Sequence, residues 1–296
     1  MSKTNVGLFG FTGTVGSAVL SPLIDAHKDD KINLIILHRE SSDLSKIPSN
    51  ANVEKRLVYL DESGVEKTKS AVGDLDVVIS TVSGGGIASQ TYLVKSLEGS
   101  KKLKTFIPSD FGVNWTKKEY ETPSLAPIAQ KEDIVKLAKE SNVPTTSVRV
   151  GIFDLFFLGY KFLGTDVKNN KVEVYRDALK YQLRITSLGY LGYALSQLVQ
   201  SPSKIANKTI TLYDYAPTGQ EIVDILSKIN NKPADVVEYT DERYEEDQKD
   251  TFAAIAAGIR KRWGTNEWNN EEGQVEKVEV EGWKGESLGE LVKRYA

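Results

Sequence analysis

The stretch Val6-Gly7-Leu8-Phe9-Gly10-Phe11-Thr12-Gly13-Thr14-Val15-Gly16 decides the fold class of this chain. Its apolar start predicts a β-strand, its glycines follow with the spacing G-x-x-G-x-x-G, and a helical pattern begins directly afterwards. A strand that ends at a helix N-terminus leaves backbone N–H groups free to bind a pyrophosphate. Glycine permits the sharp turn and lets phosphate oxygens approach the backbone. The stretch therefore predicts a dinucleotide site, with a purely structural strand–helix turn as the alternative.

Apolar runs in the first half of the chain alternate with helical patterns. Most of these runs are nearly continuous, which is typical of strands buried on both faces of a parallel sheet. Strands that alternate with helices imply right-handed crossovers and a doubly wound sheet. The predicted strands after the first are Ile32–Leu37, Arg56–Leu60, Asp76–Val82, Thr105–Ile107 and Thr146–Val150, and helices are predicted over Ala18–Ala26, Gln90–Leu97 and Ile128–Glu140.

Beyond about Phe153 this alternation stops. We expect an α/β fold with a Rossmann domain over residues 1–153 and a smaller, mostly helical substrate cap over 154–296, from which residues 186–213 return to the sheet. Ligands bind outside the carboxyl ends of such strands, so the cap would cover the substrate. Short strands are predicted at Val172–Tyr175, Gln182–Thr186 and Thr209–Leu212, and helices over Leu188–Val199, Gly219–Ile229, Asp241–Trp263 and Ser287–Tyr295.

The composition excludes several classes of function. The net charge of −3 over 296 residues argues against nucleic acid or an anionic membrane as the main partner. The absence of cysteine excludes disulfides and thiolate metal sites, and two histidines are too few for a histidine-rich metal centre. Residues 1–4 show no leader pattern, and no apolar run is long enough to span a bilayer. We therefore expect a cytoplasmic protein with a small-molecule partner.

The residues after the second predicted strand indicate which dinucleotide binds. An NAD site usually has an acidic residue there, which accepts a hydrogen bond from the ribose 2′-hydroxyl. Here the strand ends in His38-Arg39. The Arg39 guanidinium can pair with a 2′-phosphate, and the hydroxyls of Ser41 and Ser42 add donors. Glu40 would serve NAD if the strand ended one residue later. We favour NADP(H), and a solvated loop arginine is the plainer alternative for Arg39.

Lys131 interrupts the apolar face of a predicted helix. On a wheel of about 100° per residue it lies between Ile128 and Val135, on the side that should be buried. Burying an unpaired ammonium costs free energy, so a lysine there needs a partner or a chemical role. One interpretation is that its side chain extends along the helix to water. The other is a catalytic lysine that faces the cofactor, with its pKa lowered by burial and by the positive nicotinamide ring.

Many enzymes built on such a sheet use a Tyr-x-x-x-Lys pair on this helix. Pro127 stands four residues before Lys131, and none of the 13 tyrosines is followed by lysine at that spacing. An enzyme with this sequence would therefore use Lys131 without a phenol. The missing tyrosine also disfavours a sugar-nucleotide epimerase.

Three segments together point to one family. They are the glycine stretch Gly10–Gly16, the strand and glycine loop Asp76–Gly86, and the segment Phe106–Gly112 with its sequence Pro-Ser-Asp-Phe-Gly. With Lys131 and Val150–Phe153, they make the chain resemble the NmrA-like, isoflavone reductase-like branch of the atypical short-chain dehydrogenases. The Pro-Ser-Asp-Phe-Gly segment is the most specific of these features.

The resemblance implies an NADPH-dependent reductase. In this family the glycine loop holds the pyrophosphate, the arginine after the second strand reads the 2′-phosphate, and a lysine at the position of Lys131 is regarded as catalytic. Ser109 and Phe111 would lie where the cofactor and substrate sites meet. The cofactor-binding residues that the resemblance implies are Gly10, Thr12, Gly13, Thr14, Val15, Gly16, Arg39, Ser83, Gly84, Lys131 and Phe153.

The substrate and the physiological role are less closely defined. We expect a small aromatic or conjugated substrate under Phe156 and Phe157, although the cluster Leu155–Leu158 would serve equally well as plain core. A second hypothesis is an NmrA-like regulatory protein that binds NADP(H) and a protein partner without turnover, with the acidic stretch Asp241–Asp247 as a docking surface. Lys131 on an apolar face favours the enzyme. Both a monomer and a homodimer are compatible with the sequence.

Overall fold

The computed structural model describes residues 3–269 and 275–296. The prediction that residues 1–4 lack a leader pattern therefore concerns residues that are only partly described. All strand pairings between named strands are parallel. In chain order the described strands are β1 (Thr4–Phe9), β2 (Ile32–His38), β3 (Glu54–Leu57), β4 (Val77–Ser80), β5 (Thr105–Ile107), β6 (Ser147–Val150), β7 (Ile152–Phe153), β8 (Lys171–Val174), β9 (Ile185–Thr186), β10 (Thr209–Leu212), β11 (Asp235–Glu238) and β12 (Val275–Lys277).

The described α-helices lie between these strands and at the end of the chain. Most begin at a Ser, Thr or Asp side chain that caps the first turn, as at Thr218 and Ser287. In chain order they are α1 (Thr14–Lys28), α2 (Val65–Val72), α3 (Gln90–Leu97), α4 (Lys117–Tyr120), α5 (Ala126–Glu140), α6 (Leu188–Leu198), α7 (Gly219–Asn230), α8 (Asp241–Asp247), α9 (Thr251–Gly264) and α10 (Leu288–Lys293).

The main sheet has the strand order β3-β2-β1-β4-β5, and a parallel bridge from Phe106 to Thr145 connects it to a second sheet of order β6-β10-β12. Successive strands proceed outward from β1 in one direction and from β4 in the other. The carboxyl ends of β1 and β4 therefore flank the switch point at which open α/β sheets bind ligands. The predicted doubly wound α/β fold is confirmed.

The alternation of side chains along β2 explains its continuous apolar sequence. Leu34 and Ile36 are buried in a core that also contains apolar residues of α1 and α6. Ile35 and Leu37 point into the core on the opposite face, which α3 and α5 cover. A strand covered on both faces has no position for an exposed polar side chain, so the run carries the strand signal but no two-residue alternation.

The second half of the chain forms most of a further core beside the carboxyl edge of the sheet. Phe157, Leu226 and Trp263 are buried in this core, together with residues of β7, β8, α7, α9 and α10. From this half, β10 pairs with β6, and a Cβ at Gly192 of α6 would lie 2.2 Å from the Ala18 carbonyl oxygen of α1. Strand β10 and helix α6 therefore pack against β6 and α1, and the predicted domain bounds, the division at 153/154 and the return of residues 186–213, stay predictions.

The predicted single helix over Asp241–Trp263 is wrong, because the structure divides it into α8 and α9. The Asp250 side chain accepts a hydrogen bond from the Ala253 N–H at 2.9 Å and so caps the start of α9. The backbone of Asp250 is extended, with φ −118° and ψ 138°, which ends any continuous helix.

Among the described helices, none is both long and apolar enough to cross a membrane.

Candidate active site

The glycine loop after β1 packs tightly against the first turn of α1. Gly10 has a φ of +90°, a conformation that glycine adopts without the strain of a side chain. A Cβ added to Gly16 would lie 2.1 Å from the Gly10 carbonyl oxygen, so any larger residue at position 16 would displace the loop. The Ser17 N–H donates to the Gly13 carbonyl oxygen at 2.8 Å and starts the helix there. Together these contacts fix the loop at the carboxyl end of β1.

The N-terminus of α1 has the features of an anion site. Gly13 is the N-cap residue and offers no side chain to the first N–H groups, and the first turn contains no acidic residue. The partial positive charge of a helix N-terminus therefore points at the space over the loop. Thr12 and Thr14 are exposed there. A pyrophosphate fits this arrangement of backbone donors and hydroxyl groups.

Arg39 is the first residue after β2, which ends at His38. Its side chain is exposed, and its guanidinium carbon lies 6.0 Å from the centre of the Phe9 ring. The Arg39 N–H donates to the hydroxyl of Ser42 at 2.9 Å, which gives the loop a turn directly after the strand. Because β2 ends at His38, Arg39 rather than Glu40 is the first residue beyond the strand, and its role in reading the ribose 2′ group stays a prediction.

A cavity of about 410 Å³ opens between this edge of the sheet and the cap. It begins at the glycine loop and continues past the β4 and β5 loops to apolar residues of the cap. Gly10, Thr12, Gly16, Arg39 and Gly84 are not among its lining residues. Of the predicted site residues, those that line the cavity are Gly13, Thr14, Val15, Ser83, Ser109, Phe111, Lys131, Phe153 and Phe156.

One predicted substrate residue needs correction. Phe157 is fully buried within the cap core and is not among the residues that line the cavity. Its neighbour Phe156 is 36% exposed and does line the cavity. The backbone from Leu155 to Gly159 winds as one π-helical turn, which directs the two adjacent rings to different sides. Phe157 is therefore a core residue, and Phe156 remains a candidate substrate contact.

Several apolar residues of the cavity wall were not predicted from the sequence. Phe252, Ile255 and Ile259 lie on one face of α9 at spacings of three and four residues. Trp115 and Phe162 come from two separate loops. The α9 spacing is a helical pattern that the sequence displays, whereas nothing local to Trp115 or Phe162 shows that they face the same space.

Lys131 on α5 lines the cavity, and its amine has a defined partner. The Nζ atom donates to the backbone carbonyl oxygen of Asp110 at 2.8 Å. Burial lowers the pKa of the Lys131 amine, the Asp110 carboxylate opposes this change, and the Arg149 guanidinium adds to it. The side chain therefore does not extend along the helix into water but ends at the cavity wall.

The Pro-Ser-Asp-Phe-Gly segment after β5 forms a strained turn at the centre of the site. Phe111 has a φ of +34°, a left-handed conformation that is unfavourable for a residue with a side chain. The Ser109 N–H donates to the Gln90 side-chain oxygen at 2.8 Å, and its hydroxyl donates to the Val82 carbonyl oxygen. The turn is thereby connected to α3 and to the β4 loop.

Known proteins resemble this chain, some over nearly its whole length and others over about half of it. The bifunctional pinoresinol-lariciresinol reductase of Linum perenne is 25% identical over 274 residues, which are 88% of this chain and 85% of that protein. Eugenol synthase 1 of Petunia hybrida is 29% identical over 161 residues, about half of each chain (53% and 51%). The solved structure of AtPrR2 with NADP+ and (+)pinoresinol covers 100% of both chains with a TM-score of 0.81 at 20% identity.

The family comparison confirms the resemblance noted from the glycine stretch, the Pro-Ser-Asp-Phe-Gly segment and Lys131. The model that describes the NmrA-like family matches residues 2–290. This match includes both the doubly wound sheet and nearly all of the cap. The chain belongs to the NmrA-like family.

Proposed function

We propose that this chain is an NADPH-dependent oxidoreductase that reduces a small aromatic or conjugated substrate, with Lys131 as the general acid or base. The full-length relative from Linum perenne is named as a reductase, and AtPrR2 was solved with NADP+ and (+)pinoresinol. The main support for the proposal is the position of Lys131. The amine of Lys131 lines a cavity that extends from the phosphate-binding glycine loop to aromatic residues of the cap.

The residues around the glycine loop fit a bound NADP(H). The contact between Gly16 and Gly10 leaves no room for a side chain, and α1 begins without a side-chain cap, so backbone N–H groups face the pyrophosphate position. Arg39 would pair with the 2′-phosphate. The backbone of Ser83 and Gly84 would lie along the cofactor, and Phe153 would pack beside the nicotinamide. When bound, NADPH supplies the hydride.

The surroundings of Lys131 suit proton exchange with a substrate oxygen. An ammonium has three donor hydrogens, and the Asp110 carbonyl occupies one of them. The remaining donors can reach a carbonyl or hydroxyl of the substrate directly or through one water. Because burial lowers the pKa of Lys131, the amine holds its proton less firmly than a solvated lysine does, which suits acid–base catalysis near neutral pH.

The wall of the cavity favours an uncharged substrate with an aromatic ring. Among the lining residues, all of which the structure describes, Lys131 is the one basic side chain. Phe156 contacts Phe162 edge to face, with 6.0 Å between ring centres, and Phe252 approaches the same space. Such edges and faces pack well on a planar conjugated ring. The volume of about 410 Å³ lies in the range typical of small-molecule sites.

The test is NADPH oxidation with a panel of enones, quinones and phenylpropanoid-like compounds that includes (+)-pinoresinol. We expect turnover by the native protein and its loss in Lys131→Met, measured at NADPH concentrations that a nicotinamide-fluorescence titration shows to saturate the variant. The matched control is Lys136→Met, a substitution on the solvent face of α5, which should keep its activity. Turnover in Lys131→Met would remove the lysine from the mechanism. Tight NADPH binding without turnover of any compound would favour a sensing protein instead.

A further inference from the structure

A buried ion pair lies directly behind Lys131. The Arg149 guanidinium on β6 donates to the Asp110 carboxylate, and the two side chains are 7% and 4% exposed. The other terminal nitrogen of Arg149 donates to the Glu132 carboxylate at 3.1 Å. Glu132 is the neighbour of Lys131 on α5. Arg149 thus connects β6, the turn after β5 and the helix that carries the lysine.

The same turn presents the carbonyl oxygen that holds the lysine amine. Asp110 donates its own N–H to the Pro108 carbonyl oxygen at 2.8 Å, and its carbonyl oxygen accepts from Lys131 Nζ. The next residue, Phe111, has the unfavourable φ of +34°, so the turn needs anchors to keep its shape. Besides the bonds of Ser109 to Gln90 and Val82, these anchors are the Asp110–Arg149 ion pair and the bond from the Val150 N–H to the Gly112 carbonyl oxygen at 3.0 Å.

The charges near Lys131 come from all the elements packed around it. Asp110 favours the charged form of the lysine and Arg149 disfavours it. Glu132 on α5 and Tyr120 at the end of α4 interact with the same guanidinium. Burial raises the pKa of the Asp110 carboxyl and also that of the Tyr120 phenol, while Arg149 lowers both. Its direct contact with Arg149 stabilises the charged form of the Asp110 carboxylate against this effect of burial. Removal of one charge of the pair should therefore change the titration of the lysine.

We propose that Asp110 and Arg149 are positioning residues for Lys131. Together they aim the Asp110 carbonyl at the lysine amine, and the effects of their opposite charges on the amine balance each other. This inference rests on the proposed function, in which Lys131 exchanges a proton with substrate. Arginine suits this place because its planar fork donates to two carboxylates at once, which a lysine ammonium cannot match in the same geometry.

The decisive experiment is the titration of Lys131 in the protein without cofactor, from the ¹³Cε chemical shift after lysine-selective labelling. Lys131→Met identifies the resonance. Asp110→Asn keeps the backbone carbonyl and removes the negative charge, so Lys131 should titrate about one pH unit lower than in the native protein. Asp110→Asn combined with Arg149→Met removes both charges and should return the titration towards the native value. Arg149→Met alone removes the positive charge that opposes the ammonium and should raise the titration of Lys131, so this variant decides the matter if Asp110→Asn does not fold.

A matched control tests whether the loss of any buried ion pair has the same effect. Glu173 and Arg260 form a pair in the cap at 3.3 Å, with side chains 8% and 6% exposed, and neither residue lines the cavity. Glu173→Gln should lower the melting temperature and leave the Lys131 titration unchanged. Equal shifts in Glu173→Gln and Asp110→Asn would overturn the inference, since the effect would then be global.

A kinetic measurement completes the test. Arg149→Lys keeps the charge but loses the double contact, so kcat for NADPH oxidation should fall about tenfold with the panel compound that the native protein reduces fastest. KM and NADPH affinity should stay unchanged. An unshifted titration in Asp110→Asn would overturn the positioning role while the proposed function stands. Full activity in Lys131→Met would overturn the proposed mechanism, even where the titration shifts.

Discussion

A Cβ atom at Gly16 would lie 2.1 Å from the carbonyl oxygen of Gly10, so the first turn of α1 rests directly on the backbone of the glycine loop. At Gly13 the nearest atom to such a Cβ is the Thr81 carbonyl oxygen at 3.8 Å, an ordinary contact. The protein itself therefore tolerates a methyl group at position 13 but not at position 16. A methyl group at position 16 therefore tests the packing of the fold, and one at position 13 tests the space for a bound pyrophosphate.

The first prediction compares these two glycines. Gly16→Ala should lower the stability by about 1–3 kcal/mol, the usual cost of overpacking, and melt several degrees below the native protein. Gly13→Ala should melt like the native protein but bind NADPH about tenfold more weakly, because its methyl group faces the pyrophosphate position. Thermal melts and fluorescence titrations measure both effects. Native NADPH affinity in Gly13→Ala would show that the cofactor does not approach this part of the loop.

The second prediction concerns the choice of cofactor. Arg39→Ala should weaken NADPH binding by about tenfold to a hundredfold, the range expected for the loss of charge-assisted bonds to a phosphate, and leave NADH binding unchanged. Added salt should reduce the difference between the native protein and the variant, since the arginine is exposed. Titration of both cofactors at two salt concentrations measures this.

The neighbouring Glu40 gives the control for that prediction. If Arg39 reads a 2′-phosphate, Glu40→Gln should not weaken NADPH binding. If NADH and NADPH bind the native protein equally and Arg39→Ala changes neither, the arginine does not select the cofactor. A loss of NADH binding in Glu40→Gln would instead show that Glu40 binds the ribose 2′-hydroxyl.

The sequence predicted the sheet better than the cap for a physical reason. Strands such as β2 and β5 are covered on both faces, so each is a continuous apolar run that stands out from its surroundings. The cap strand β11 escaped prediction because it is short and mostly exposed, with only Val237 partly buried. The break before α9 has a local signal, the capping side chain of Asp250, which the helical pattern on either side obscured.

The candidate site was predictable where one local pattern implied one chemistry. The glycine loop and Lys131 have such patterns, a fixed spacing in one case and a cation on an apolar helix face in the other. Arg149 does not, because a charged residue within a predicted strand gives no indication of the carboxylate that it meets. Its partner Asp110 lies 39 positions away in sequence, and only the pairing of the folded strands brings the two together.

The third prediction separates two phenylalanines of the cap. Phe252 lines the cavity and is 71% exposed, so Phe252→Ala should leave the melting temperature unchanged. It should raise KM for an aromatic substrate about tenfold, which corresponds to the lost burial of one ring. Phe157 is fully buried, so Phe157→Ala should lower stability by about 3–5 kcal/mol. A native KM in Phe252→Ala would place the substrate elsewhere in the cavity.

The fourth prediction follows from the lowered pKa of Lys131. Because the folded pKa lies below the unfolded one, the unfolded state binds more protons between these two values, and stability rises with pH across that window. Below the folded pKa the native protein carries the full cost of the buried ammonium. Lys131→Met removes this cost, so the variant should be more stable than the native protein at pH 7, and the difference should shrink as the pH approaches 10.

Melting temperatures of both proteins from pH 7 to pH 10 measure this difference, and other titrating groups cancel in the comparison. Lys136→Met replaces an exposed lysine on the same helix and should follow the native protein at every pH. A variant at position 131 that melts below the native protein at pH 7 would mean that the ammonium stabilises the fold, which would make its contact with Asp110 structural. A more stable but inactive Lys131→Met would indicate that the chain keeps an unfavourable buried charge because its reaction requires one.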